Sequence, residues 1–205
     1  IIAFAKDNKD HRKKLKKYNG EIQIIYGDIR NKTTTDNLVK NIDFVIHLAA
    51  VIPPLADRLP ELAEEVNYGG TVNLIKSLEE KSPNAFFLFT SSVAVYGDRI
   101  KNPFINVNDS SNPSVGDAYA VTKINTEQIL KKSLLNWSIF RLTAIMHPKQ
   151  KFDPLMFHMP LDTKIEICTT KDTAYALVQS IEKQKEINKS IFNLSGGEKC
   201  RVIYR

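Results

Sequence analysis

Glycine is scarce in this sequence, with 8 residues in 205, about 4% where soluble proteins usually carry about 7%. Cysteine is scarcer. Cys168 and Cys200 stand far apart without CxxC spacing, which excludes a disulfide-stapled scaffold and gives no metal site. No apolar run approaches the ~18 residues of a membrane-spanning helix. The opening IIAFAKDNKD turns charged after about five residues, too soon for a secretory leader. Internal repeats and low-complexity tracts are lacking too. These absences set the expectation of a cytoplasmic protein without a membrane partner.

What is present is ordinary for a folded domain: 42% hydrophobic, 25% charged and 9% aromatic residues. The net charge is +6, from 29 Lys and Arg against 23 Asp and Glu. Much of the excess lies in HRKKLKK, residues 11–17. Such a run suits a solvated helix face better than a nucleic-acid patch, because no interleaved aromatics or nucleic-acid module accompany it. No nucleic-acid partner is expected.

Short apolar runs alternate with helical patterns. Strands are predicted at IIAFA (1–5), EIQIIYG (21–27), FVIHLAA (44–50), AFFLFTSS (85–92), WSIFRLT (137–143) and IFNLSG (191–196). Helices are predicted over 62–80, 117–135 and 172–184, the last with Asp172 in the capping position. This alternation implies an α/β fold, a parallel sheet built of βαβ units with helices on both faces. Such sheets bind ligands outside the carboxyl ends of their strands. Those ends read Gly27-Asp28-Ile29, His47-Leu48-Ala49-Ala50, Thr90-Ser91-Ser92 and Arg141-Leu142-Thr143.

One pair on the second long helix carries chemistry. Tyr119 and Lys123 lie at i and i+4 and share a face. An ammonium near a phenol favours the phenolate and lowers its pKa, so the pair can move a proton to or from a substrate oxygen near neutral pH. Ser92, at a strand end, could hold the same oxygen. With 7 tyrosines in the chain, about one such pair arises by chance. The weight therefore rests on the order of the surrounding motifs.

That order resembles the extended short-chain dehydrogenases/reductases, the NAD(P)-dependent epimerase/dehydratase group. The matching segments are Gly27-Asp28-Ile29, His47 to Ala50, Asn67-Tyr-Gly-Gly-Thr71, Ser91-Ser92 with Val95-Tyr96-Gly97, Tyr119-xxx-Lys123-xxx-Glu127, Phe140-Arg141-Leu142, Asp172 and Phe192-Asn193. The resemblance implies a Rossmann-type doubly wound sheet and a Ser92-Tyr119-Lys123 catalytic triad. It implies that Lys123 holds the nicotinamide ribose, that Asp28 and Ile29 border the adenine, and that Leu48, Ala49 and Ala50 line the cofactor path. Asn67 would support the site, with Thr90, Ser91 and Leu142 beside the cofactor. Ser92, Tyr96, Thr143 and Ala144 are the expected substrate contacts. A homodimer through helices 62–80 and 117–135 follows by the same resemblance.

Two departures qualify it. The family's opening strand and GxxGxxG turn do not occur. The segment 1–5 corresponds to the family's second strand, and the missing strand would lie between 1–5 and 44–50. The chain is therefore expected to be part of a longer protein. Only about thirty residues separate Arg141 from Asp172, where sugar-nucleotide members carry a longer insertion, and Ala144 stands where many UDP-sugar epimerases have Asn. Both argue against a UDP-sugar. Residues 147–162 are expected to form much of a substrate wall.

On these grounds the dinucleotide-binding domain is placed at 1–145 and 172–195, with 146–171 and 196–205 as parts of a substrate-binding region. The expected activity is hydride transfer at a carbinol or carbonyl centre of a small molecule. The alternative is a non-catalytic dinucleotide-binding scaffold. Lys6 in Ala5-Lys6-Asp7, with Lys9 and Arg12 following, tips the cofactor toward NADP, while Asp7 keeps NAD open. No metal is expected. His47 suits a satisfied core histidine, Cys168 a small core residue. His147 and His158 could face substrate, and Arg141 either salt-bridges within the fold or meets an anionic substrate.

Overall fold

The computed structural model describes residues 1–99, 101–147 and 164–197, and the backbone of 201–203. Its elements run β1 (Ile2–Ala5), α1 (Lys9–Leu15), β2 (Gln23–Tyr26), α2 (Lys32–Leu38), β3 (Phe44–His47), α3 (Leu55–Arg58), α4 (Pro60–Ala63), α5 (Gly70–Lys81), β4 (Phe86–Ser92), α6 (Ala118–Lys132), β5 (Asn136–Leu142), β6 (Ala144–Met146), β7 (Lys164–Thr169), α7 (Thr170–Glu182), α8 (Gln184–Ile187), β8 (Ser190–Leu194) and β9 (Arg201–Ile203).

β3, β4, β5 and β8 form a parallel sheet in the order β3-β4-β5-β8. Alternation along β4 decides what each face holds, because successive side chains of a strand point to opposite sides. Phe87 and Phe89 join Leu74, Ile75, Leu78 and Leu130 of α5 and α6 in one core cluster. Leu88 points the other way and meets Leu177 of α7, with Phe140 and Leu194. Burying one such side chain contributes about 1.5–3 kcal/mol. The sheet is thus covered on both faces, as a parallel sheet requires.

β1 and β2 pair with each other in a separate parallel ladder. No ladder joins β1 to β3, although Phe4 and Val45 pack on the same core cluster. This agrees with the expectation that segments 1–5 and 44–50 are not sheet neighbours. A third sheet, in the order β6-β7-β9, was absent from the sequence reading. Its strands are too short, at three to six residues, to show a clear period.

Two helical expectations change. The predicted helix 62–80 is helical from Pro60 to Lys81 but passes through a π-helical stretch, Glu64–Gly69. Asp172 does not cap α7. Thr169 does: its hydroxyl accepts from the Asp172 amide at 3.1 Å and donates to the Asp172 carboxylate at 2.7 Å. The helix starts earlier than predicted because β7 runs straight into it. The basic run 11–17 lies on or just beyond α1, which has no buried residue. No helix among the described residues is long and apolar enough to cross a membrane.

Candidate active site

The carboxyl end of β4 is where the chemistry-bearing side chains meet. α6 lies against β4, and three of its residues at successive i+4 steps meet that strand's end. Asp117 caps this helix, its carboxylate accepting from the Ala120 amide at 2.8 Å, which fixes where the first turn and Tyr119 begin. The Tyr119 phenol is pushed up to about 12, chiefly by burial; a hydrogen bond with Ser92 works against this, and the Asp117 charge adds to it. Ser92 also closes the turn after β4, its hydroxyl accepting from the Ala94 amide at 3.1 Å.

Lys123 is 3% exposed. Its Nζ donates to the Thr90 carbonyl at 2.7 Å and sits 4.7 Å from the Phe89 ring centroid and 5.5 Å from that of Tyr119. Burial draws its amine down to about 8, with the Glu127 carboxylate opposing. The expectation that Lys123 lowers the Tyr119 pKa is corrected here. In the protein alone burial of the phenol dominates, and both groups are pushed toward their neutral forms.

The third residue, Glu127, is buried and bonded on both oxygens. Oε1 accepts from Ser91 Oγ at 2.6 Å and from Arg141 Nε at 3.0 Å, and Oε2 accepts from Arg141 Nη2 at 2.7 Å. Burial alone would push this carboxyl up. The Arg141 and Ser91 hydrogen bonds outweigh it and hold the carboxyl below its ordinary range. Arg141 Nη1 donates onward to Tyr96 Oη at 2.6 Å, and Tyr96 Oη donates to Asn193 Oδ1 at 2.8 Å. Arg141 therefore salt-bridges within the fold, which settles the choice left open above. Sequence reasoning quoted Glu127, Arg141 and Asn193 as parts of motifs but did not join them. No local spacing links residues so far apart in the chain.

Several residues of the expected contact set have side chains engaged within the protein. Tyr96 is 1% exposed, with its hydroxyl taken up by Arg141 and Asn193 as above. Ser91 is bound to Glu127. Thr90 Oγ1 donates to the His47 carbonyl at 2.8 Å. Asn67 clamps the chain after β3, accepting from the Val51 amide at 2.7 Å and donating to its carbonyl at 2.9 Å. Ile29 is buried beneath Gly70, where an added Cβ would come within 2.5 Å of Ile29 Cγ2. Leu142 packs into the second core cluster. Thr143 is half-buried, its hydroxyl 3.3 Å from the Leu194 carbonyl.

Others remain open to a ligand. Leu48 is 60% exposed at the end of β3, with Ala49 exposed and Ala50 half-buried beside it. Ala144 and Lys6 are exposed. Asp28 lines an open pocket of about 580 Å³ with Arg30, Asn31, Glu65, Gly69 and Asn73. Arg30 bridges Asp28 at 2.7 Å and Glu65 at 2.6 Å. Lys123 keeps two ammonium protons, since its one hydrogen bond among the described residues goes to Thr90.

His47 is a satisfied core histidine. The single proton of the Thr71 hydroxyl goes to the Asn67 carbonyl at 2.6 Å, so His47 Nε2 donates to that hydroxyl at 2.8 Å. Burial, then the Lys123 charge, pushes the imidazole down to about 3. Cys168 is buried, with Thr173 Oγ1 donating to its Sγ at 3.3 Å. No group of three or more metal-ligating side chains occurs among the described residues. His158, Cys200 and residues 148–162 of the expected substrate wall lie outside them.

Comparison with known proteins matches this arrangement to a family. Residues 1–146 match the NAD dependent epimerase/dehydratase family. Over 192 residues the chain is 29% identical to UDP-glucose 4-epimerase of Vibrio cholerae, covering 83% of this chain and 57% of that protein. It is 26% identical over 123 residues to D-erythronate dehydrogenase of Haemophilus influenzae, covering 58% of this chain and 38% of the relative. The structure aligns over its whole length, at a TM-score of 0.82 and 19% identity, with 68% of a DesIV double mutant, a dTDP-glucose 4,6-dehydratase from Streptomyces venezuelae solved with NAD and DAU bound. The chain thus spans only part of the length of the curated relatives it matches, while the structural likeness shows a shared α/β Rossmann-like fold. On the match over residues 1–146, the chain belongs to the NAD dependent epimerase/dehydratase family.

Proposed function

We propose that this chain carries the reacting centre of an NAD(P)-dependent oxidoreductase, epimerase or dehydratase acting at a carbinol or carbonyl carbon of a small molecule. One observation carries the reading: Ser92, Tyr119 and Lys123 converge at the carboxyl end of β4, with Lys123 Nζ 5.5 Å from the Tyr119 ring centroid and donating at 2.7 Å to the carbonyl of Thr90, two residues before Ser92. The residues fit a nicotinamide dinucleotide at its riboside end. A buried ammonium with two uncommitted protons suits ribose hydroxyls, and the open Leu48–Ala50 edge lets a flat ring approach the backbone. When bound, the nicotinamide supplies or accepts a hydride at the substrate carbon.

In this reading Tyr119 Oη keeps its proton through neutral pH and delivers it to a carbonyl oxygen held by Ser92 Oγ. In the opposite direction Oη takes the proton of a substrate hydroxyl. The Ser92 hydrogen bond then favours the phenolate. The cofactor preference we assign is NADP. Asp7, the acid after β1, is engaged by Arg12 at 2.6 and 2.8 Å, which leaves the exposed Lys6 to meet a 2′-phosphate.

The test follows nicotinamide absorbance with NAD(P)⁺ and D-erythronate, and product formation from UDP-glucose, in the protein and its Ser92→Ala and Tyr119→Phe variants. Loss of turnover in both variants supports the reading. Turnover that persists in both would place the reacting centre elsewhere, and nucleotide binding without any turnover in the wild type would leave a dinucleotide-binding scaffold instead.

A further inference from the structure

Tyr119, Lys123 and Glu127 sit at i, i+4 and i+8 on one face of α6 and meet the last residues of β4: Ser92, the Thr90 carbonyl and Ser91 respectively. The first two belong to the reacting centre proposed above. The third touches neither substrate nor cofactor there, yet it makes the most bonds.

We propose that Glu127 is a positioning residue, gripping Ser91 of β4 and Arg141 of β5 with its two carboxylate oxygens so that α6 presents Tyr119 and Lys123 in register with Ser92 and Thr90. The inference rests on the functional reading above for its purpose, though not for its geometry. A carboxylate held by two bonds from one guanidinium and one from a hydroxyl fixes both distance and rotation. A helix held only by apolar contacts can slide or roll against a sheet. Sliding α6 by one residue would move Tyr119 by about 1.5 Å, and a displacement of that size costs about 10²-fold in rate where reacting groups must meet. Arg141 extends the grip to Tyr96 and, through its hydroxyl, to Asn193 of β8. The helix is thereby tied to three strands of the main sheet.

Glu127 also sets the charge around Lys123. Facing that amine are the neutral His47 of β3, the Thr90 carbonyl and Phe89 ring of β4, and Tyr119 and Glu127 of α6 itself. The carboxylate alone brings an opposite charge. Facing Glu127 in turn are Arg141 of β5, Ser91 of β4 and Lys131 at 3.4 Å on its own helix.

The experiment titrates the Lys123 amine in the protein by nuclear magnetic resonance of isotope-labelled lysine, comparing wild type with Glu127→Gln, with Lys123→Met to assign the signal. The expected result is a lower amine midpoint in folded Glu127→Gln and a broadened or displaced Lys123 resonance. An unchanged midpoint and resonance in a folded variant would overturn the proposal, because a residue that only adds stability leaves them alone. If Arg141 left without its counter-charge prevents folding, the double variant Glu127→Gln, Arg141→Gln removes both charges and carries the same expectation. Neither readout needs turnover. A lowered midpoint in a protein whose Tyr119→Phe variant still turns over would uphold the positioning and refute the functional reading.

Discussion

Lys123 Nζ donates to the Thr90 carbonyl oxygen at 2.7 Å from a position almost closed to water. A cation in such a place destabilises the fold. The amine titrates near 8 in the folded chain against 10.5 for a free lysine side chain. Below pH 8 the folded state carries the full cost of a buried charge. Between 8 and 10.5 the unfolded chain binds more protons than the folded one, so stability rises with pH. Function sites commonly keep such groups at a loss of stability.

Lys123→Met should therefore raise the unfolding free energy at pH 7 by about 1–2 kcal/mol, after allowing for the lost bond to Thr90. The gain should shrink by about 1.4 kcal/mol per pH unit above 8 and vanish near pH 9, leaving only the cost of the lost bond by 10.5. Chemical denaturation across that range checks it, and a variant less stable than wild type at pH 7 would contradict it.

His47 predicts the acid limb. Its folded imidazole titrates near 3 against 6.5 in an unfolded chain. The unfolded chain takes up a proton first as pH falls, so stability is lost from 6.5 down toward 3. At pH 4 this amounts to about 3 kcal/mol. His47→Gln should lose less stability than wild type over the same interval in a urea titration, and equal losses would refute the assignment.

Gly97 and Gly116 separate two reasons for glycine. Both have positive φ, +67° and +83°. A Cβ at Gly97 would lie 2.1 Å from the Asn112 carbonyl oxygen, whereas one at Gly116 meets nothing within 4 Å. Gly97→Ala should cost roughly 3 kcal/mol or more, and Gly116→Ala about 1 kcal/mol. Thermal unfolding of the pair checks the order.

Cofactor preference depends on the end of β1. Lys6→Glu should weaken NADPH binding about tenfold, one charge-assisted contact, and leave NADH nearly unchanged. Fluorescence titration with each nucleotide measures this. Equal effects on both would remove Lys6 from the site.

The main sheet was legible because its strands are continuous apolar runs that end in small polar residues, as in FFLFTSS before the turn at Ser92. Tyr119 and Lys123 were legible because four residues on a helix is a local spacing. The Glu127–Arg141–Tyr96–Asn193 chain was not, since its members come from different elements and only the packed sheet brings them together. The buried state of Tyr119 was equally hidden. The sequence places an ammonium near a phenol, but whether charge or burial dominates depends on how much water each group keeps. β6 and β7 escaped because short strands of mixed character carry no period.

The most direct measurement is turnover in Tyr119→Phe, with nucleotide affinity read on the same preparation. The phenol oxygen is the only atom removed. The account predicts a fall in kcat of about 10²–10⁴-fold with the Kd for NAD(P)H within about threefold of wild type. Unchanged turnover would contradict it, and would show that the Ser92, Tyr119 and Lys123 cluster is not where the proton moves.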